Sequence, residues 1–128
     1  MQVLLDTHVL IWAVDSPGKL SRNASAMVKD PDHQLLVSIA SLWEIAIKVN
    51  LGKLHLSSSF ETWTRRAIQD MKLEVLPISL NAVMAQASMP SYHRDPFDRI
   101  LISQAIVEDA PLLSQDDIID KYAEIRLW

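Results

Sequence analysis

Short apolar runs without polar alternation punctuate the chain. Val3-Leu4-Leu5 ends in Asp6, and Leu35-Leu36-Val37 ends in Ser38; Val75-Leu76 and Leu112-Leu113 are two more. A strand with one wet face alternates, so an unbroken run fits a strand covered on both faces, as in a parallel sheet. Ile125-Arg126-Leu127 does alternate and reads as an edge strand. Between the runs lie segments of helical period. Ser21 caps a helix carrying Ala24 to Lys29. Ile39 to Val49 is apolar almost all round, which predicts a buried helix, with Ser38 a better cap than Ser41. Ser58 and Glu61 read as an S-x-x-E capping box, followed by Phe60, Trp63, Ala67 and Met71 on one face. Ser79 precedes Leu80, Val83, Met84 and Ala87 at helical spacing. Asp95-Pro96 opens a helix with Ile100, Leu101, Ala105 and Ile106, since proline suits the first helical position. Strands alternating with helices predict an α/β sandwich around a central, mostly parallel sheet, in one domain over residues 1–128.

Composition narrows the chemistry. The chain has 128 residues, with 12 basic and 16 acidic side chains and a net charge of −4. An acidic chain is no generic nucleic-acid coat, because non-specific phosphate binding rests on Lys and Arg. A metal-dependent nuclease, which needs carboxylates, stays open. There is no cysteine, so disulfides, thiolate metal sites and Cys nucleophiles all fall. Only two glycines occur, too few for a GxGxxG fingerprint or a P-loop. The start lacks the basic flank and apolar core of a signal peptide, and no run approaches the ~18 residues of a membrane span. A soluble, cytoplasmic protein without a membrane partner is expected.

In open α/β sheets, ligands bind outside the carboxyl ends of the strands. Asp6 follows the first run, and Asp116 and Asp117 lie just past Leu112-Leu113-Ser114. Glu44 lies in the helix after the second run. Asp98 lies in the first turn of the helix entering the fourth. Four acids from four distant segments are thus predicted to meet at one sheet edge. Carboxylates crowded together raise their pKa values or bind a cation, and hard oxygen donors select Mg²⁺ or Mn²⁺. Such an ion supports phosphodiester hydrolysis. Each acid also has a plainer reading. Asp6 could cap a turn, Asp98 could serve the helix dipole, and Asp116-Asp117 could cap a short helix running to Tyr122. Glu44 is harder to explain so, since a lone acid among Leu42, Trp43, Ile45, Ala46 and Ile47 needs a partner or an ion.

His93, Arg94 and Arg99 flank Asp98 and could contact a phosphate, with solvated surface charge as the other reading. Arg65-Arg66 and Lys48 to Lys53 add positive charge of the same open kind. Trp12 and Trp63 could serve a partner surface. Ser41 and Ser57 to Ser59 have no adjacent base, so a Ser-His hydrolase is not expected.

Three strings carry a resemblance: Leu4-Leu5-Asp6-Thr7-His8, then Ser38-Ile39-Ala40-Ser41-Leu42-Trp43-Glu44-Ile45-Ala46-Ile47-Lys48, then His93-Arg94-Asp95-Pro96-Phe97-Asp98-Arg99-Ile100-Leu101-Ile102. In this order they resemble a PIN domain and, more narrowly, the VapC toxins of bacterial type II toxin–antitoxin modules. The resemblance implies a three-layer α/β/α fold and an endoribonuclease that cleaves RNA with Mg²⁺ or Mn²⁺. The family's four acids map onto Asp6, Glu44, Asp98 and Asp116. Thr7, Ser114 and Asp117 would support them. Ser114-Gln115-Asp116 keeps the family's hydroxyl two residues before the last acid, with Ser114 in place of the commoner Thr. The resemblance also implies a homodimer and a cognate antitoxin that blocks the site, with operator DNA reached only through the antitoxin. Two other classes stand beside it. A phospho-receiver switch would want an acid pair at the first strand's end, where Asp6 stands alone. A catalytically silent PIN-fold binding protein would bind no Mn²⁺.

Overall fold

In the computed structural model, which describes residues 1–128, the apolar runs become strands of one sheet. They are β1 (Gln2–Leu5), β2 (Gln34–Ser38), β3 (Glu74–Leu76), β4 (Leu112–Leu113) and β5 (Arg126–Leu127). Every pairing is parallel, and the order is β3-β2-β1-β4-β5. The chain lays β2 and β3 on one side of β1, then returns to place β4 on the other. This leaves a topological switch point between β1 and β4, where open sheets bind ligands. Receiver domains of the flavodoxin type are instead ordered 2-1-3-4-5, so the phospho-receiver alternative is set aside.

The unbroken runs have a simple cause. Val3, Leu5, Leu35, Val37 and Leu113 enter one core layer, and Leu4, Leu36 and Leu112 enter the other. Successive side chains point to opposite faces, and both faces are covered; Val75-Leu76 is the exception, because β3 is an edge strand and leaves Val75 exposed. The first layer is closed by α1 (Thr7–Asp15), α2 (Arg22–Lys29), α3 (Ile39–Asn50) and α4 (Phe60–Asp70), through Val9, Leu10, Ala24, Met27, Leu42, Ile45, Trp63 and Ala67. The second is closed by α6 (Pro96–Val107), through Leu101, Ile102 and Ala105. The remaining helix, α5 (Leu80–Ala87), rests on α6.

Asp6, Ser21, Ser38, Ser59, Ser79 and Asp95 cap the six helices, each accepting a backbone N–H. Such caps contribute about 1 kcal/mol each. Two expectations about the helices are corrected, and the facing of α5, which spacing left open, is settled. The cap of α4 is Ser59 rather than Ser58, so Glu61 falls too early for a reciprocal box and pairs with Arg65 instead, at 3.2 Å. Helix α3 is not buried all round, because Trp43 is 61% exposed. Helix α5 turns its apolar stripe outward: Leu80 is 73% and Met84 61% exposed, whereas Ala82 is buried beside Ile100. A small residue lets α5 approach α6 closely, and the bulky ones are left outside.

Candidate active site

The switch point is built from the strand ends. The Asp6 N–H extends the β1–β4 ladder by donating to the Leu113 carbonyl at 3.0 Å. This fixes the buried Asp6 side chain at the start of α1, where Oδ1 accepts from the His8 N–H at 3.3 Å. From the facing strand, the buried Ser114 hydroxyl donates to Asp6 Oδ2 and accepts from the Asp116 N–H at 3.1 Å. One hydroxyl therefore sets the relation between two carboxylates far apart in sequence. Asp116 in turn caps the short 3₁₀ turn Asp117–Lys121, its Oδ1 accepting from the Ile118 N–H at 3.0 Å. Asp98 enters from the first turn of α6, placed there by the Asp95 cap and Pro96. Asp6, Asp98, Asp116 and Asp117 share the wall of one cavity of about 460 Å³.

Glu44 lies outside that wall, within α3. It is buried, with Oε2 held by Lys48 Nζ at 2.7 Å and Oε1 buried without a partner. Its charge still reaches the cavity, acting on both Asp6 and Asp98. Lys48 is pushed above the ordinary lysine range, first by its hydrogen bond to Glu44. Thr7 is buried and donates to the Ser41 hydroxyl at 2.9 Å, tying α1 to α3 rather than facing the cavity.

Crowding shows in the acids. Burial first, then the charges of Asp6 and Asp95, push the Asp98 carboxyl up to about 7, against a lowering by His93. Asp6 is also raised, by burial first; its hydrogen bond from Ser114 and the nearby His8 oppose this. At Asp6 a hydroxyl and an N–H compensate desolvation only in part, and Asp98 has only the His93 imidazole, which it shares with Asp116.

The three expected phosphate contacts part company here. His93 Nε2 lies 2.8 Å from Asp116 Oδ2 and 3.1 Å from Asp98 Oδ2. Its Nδ1 accepts the Asp95 N–H at 3.2 Å, which assigns the proton to Nε2. His93 is thus a donor shared by two carboxylates, not a free phosphate contact. Arg99 is also corrected. Its guanidinium is spent on the carbonyls of Gln86, Met89, Pro90 and His93, at 2.8–3.3 Å, so it clamps the segment before α6. Only Arg94 is exposed and without a hydrogen-bond or ion-pair partner. His8, Trp12 and Gln115 also line the cavity, a place the sequence did not give them; it offered Trp12 only as a candidate partner surface. The signal for the first two was available: they stand four residues apart on α1, on one face just after Asp6.

The family profile described as PIN domain matches residues 3–125. The chain belongs to the PIN-domain family. This PIN domain is similar to Ribonuclease VapC22 of Mycobacterium tuberculosis (strain ATCC 25618 / H37Rv), 29% identical over 114 residues, covering 89% of this chain and 86% of the relative. Among solved structures it is similar to VapBC2 from Rickettsia felis bound to a promoter DNA fragment, with a TM-score of 0.72 and 16% identity over 100% of this chain and 98% of that one. A toxin–antitoxin complex from Klebsiella pneumoniae gives a TM-score of 0.66 and 17% identity over 98% and 96% of the two chains. At such identities the likeness of the solved structures is one of fold. No helix of this PIN domain is long and apolar enough to cross a membrane.

Proposed function

We propose that this PIN domain is the toxin of a type II toxin–antitoxin module, a Mg²⁺- or Mn²⁺-dependent endoribonuclease. The observation that carries the reading is the convergence of Asp6, Asp98 and Asp116, from three distant segments, on one cavity at the sheet's switch point. The donor set fits a hard divalent cation. One carboxylate oxygen each from Asp98 and Asp116 lies within 4.8 Å of the other, and Glu44 keeps a buried oxygen without a partner. Asp6, Asp98 and Asp116 would hold the ion, with Glu44 completing the site from behind. When bound, such an ion acidifies water and offsets charge on a phosphate.

The chain's own residues do the positioning. Ser114 holds Asp6 and Asp116 in fixed relation, and Lys48 holds one oxygen of Glu44 so that the other stays free. Asp117, at the cavity's rim, adds negative charge, and Thr7 steadies the start of α1. Similarity to a protein named a ribonuclease and to toxin–antitoxin structures supports RNA as substrate and an antitoxin as partner. The outward stripe of Leu80, Val83 and Met84 lies in a segment, residues 75–92, without Asp, Glu, Lys or Arg. That depletion of charge supports a homodimer. Operator DNA would be reached through the antitoxin.

The test is RNA cleavage with Mn²⁺ by the variants Asp6→Ala and Asp98→Ala, purified away from host nucleases. Loss of cleavage in both is expected. Full activity in both would end the assignment.

A further inference from the structure

A second cavity, of about 310 Å³, adjoins the carboxylate pocket across the first turns of α1. The two share His8 and Trp12, which form the ridge between them. Their electrostatic character is opposite. The first holds four aspartates and no lysine, and the second holds Lys19, Lys48 and Lys53 with His55. Lys48 is occupied by Glu44, but Lys19 and Lys53 are exposed and have no carboxylate within ion-pair distance. Asp15, the one acid of this cleft, has its oxygens taken by the Ser57 N–H and hydroxyl and by Trp63 Nε1. The cleft is built rather than accidental. Gly52, at a φ of +72°, ends α3 by turning the chain back, so that the Lys53 N–H reaches the Lys48 carbonyl at 2.9 Å. A left-handed residue there favours glycine.

The ridge has the other half of a nucleic-acid site. Trp12 is only partly buried, and it is steadied by the tilted ring of His8, at 5.8 Å, and by the edge-on ring of Trp128, at 6.1 Å. An indole fixed in place and open at a lip offers a stacking face at little entropic cost. Aromatic faces that take unstacked bases, beside lysines that follow the phosphates, are the common design for single strands.

From this juxtaposition we infer that a single-stranded RNA runs from the carboxylate pocket over Trp12 into the cleft of Lys19, Lys53 and His55. One base stacks on the indole, and the phosphates beyond it lie on the two lysines. The inference rests on the nuclease reading, which places a phosphate in the carboxylate pocket, and it adds which way the strand leaves. An acidic peptide would match the lysines but has no use for a ridge that opens directly onto four aspartates.

The experiment is fluorescence anisotropy with a short fluorescein-labelled oligouridylate in EDTA, titrated with salt, beside calorimetric Mn²⁺ binding. The double variant Lys19→Gln/Lys53→Gln is expected to bind RNA about tenfold more weakly at low salt. The slope of log affinity against log salt is expected to shrink by about 1.4, near 0.7 for each lost phosphate contact on a single strand. Trp12→Leu keeps apolar bulk but loses the stacking face, and is expected to lose about tenfold at every salt concentration; Trp12→Phe keeps most of the affinity. Mn²⁺ affinity is expected to stay at the wild-type value in the lysine variant, which shows that it is folded. Wild-type RNA affinity and salt slope in the lysine variant overturn the track while leaving the nuclease reading intact. Polyglutamate that displaces the RNA at equal charge concentration also overturns it, in favour of a protein partner. A wild-type protein that binds no Mn²⁺ and cleaves nothing, yet binds RNA through Lys19 and Lys53, sinks the nuclease reading and keeps the track.

Discussion

Helix α1 has an aspartate at each end, and the two do different things. Asp15, at the last turn, accepts from the Ser57 N–H at 3.1 Å, the Ser57 hydroxyl at 2.6 Å and Trp63 Nε1 at 3.1 Å. It is a fastener, joining α1 to the loop before α4 and to the largest buried side chain of the core. Asp6, at the cap, accepts from one hydroxyl and one N–H, yet it faces other carboxylates and its pKa is raised by burial. A carboxylate ringed by donors has reached its lowest free energy. One raised by burial beside other acids has not, and on the proposed reading a divalent cation would complete it. The contrast distinguishes a structural acid from a candidate metal ligand better than burial does.

Exchanging each for its neutral isostere is the strongest way to break this comparison. Asp6→Asn is expected to lose at least about 100-fold in RNA cleavage with Mn²⁺, as loss of a group serving the reacting centre does. Its melting temperature should move little. Asp15→Asn is expected to keep its Mn²⁺ affinity but to lose about 1 kcal/mol of stability, or about 4 °C, because the amide keeps one accepting oxygen and sets an N–H₂ where the second accepted. If both variants lose stability alike and activity alike, the distinction is void.

Acidity sharpens it further. Asp98 is raised from the ordinary aspartate value to about 7, by burial first and then by Asp6 and Asp95. A raised carboxyl binds its proton more tightly when folded. The associated stability is fully present below about pH 4 and is lost as the pH rises through about 7. In EDTA, Asp98→Asn is therefore expected to melt about 5 °C above the wild type at pH 8, with the gap closing towards pH 4. Addition of Mn²⁺ should reverse the order at pH 8, because the ion stabilises only the chain that keeps its ligand. Equal melting curves across that range would show that Asp98 is not strained. At the other extreme, Glu61 and Arg65 form an exposed pair at 3.2 Å. Arg65→Ala is expected to change stability by no more than about 0.5 kcal/mol in thermal unfolding.

These contrasts also show which parts of the molecule were legible in the chain. The strands were, because a run such as Leu35-Leu36-Val37 has one physical explanation, burial on both faces. The caps were, except where Ser57 to Ser59 offered three serines and only the third adopts the cap. The acids were legible as candidates because they follow the apolar runs. What failed was orientation. Leu80, Val83 and Met84 form a good helical stripe, but a stripe does not say which layer it meets; the small Ala82 decided that. Arg99 and His93 failed for a related reason. Their type suggested phosphate, but their partners are carbonyls and carboxylates brought near only by the fold. His8 had no role legible in the chain, and Trp12 was offered only as a partner surface, because the ridge on which both stand between two cavities exists only in the fold.

The hydroxyl bond from Ser114 to Asp6 spans 108 residues of sequence. Synthesis delivers Asp6 first and Ser114 and Asp116 last, at about 5–20 residues per second. Until residue 116 has cleared the ribosome, the first carboxylate has neither its hydroxyl nor the last of its neighbouring acids. On the proposed reading, a chain still held on the ribosome, among RNA at very high local concentration, carries an incomplete site.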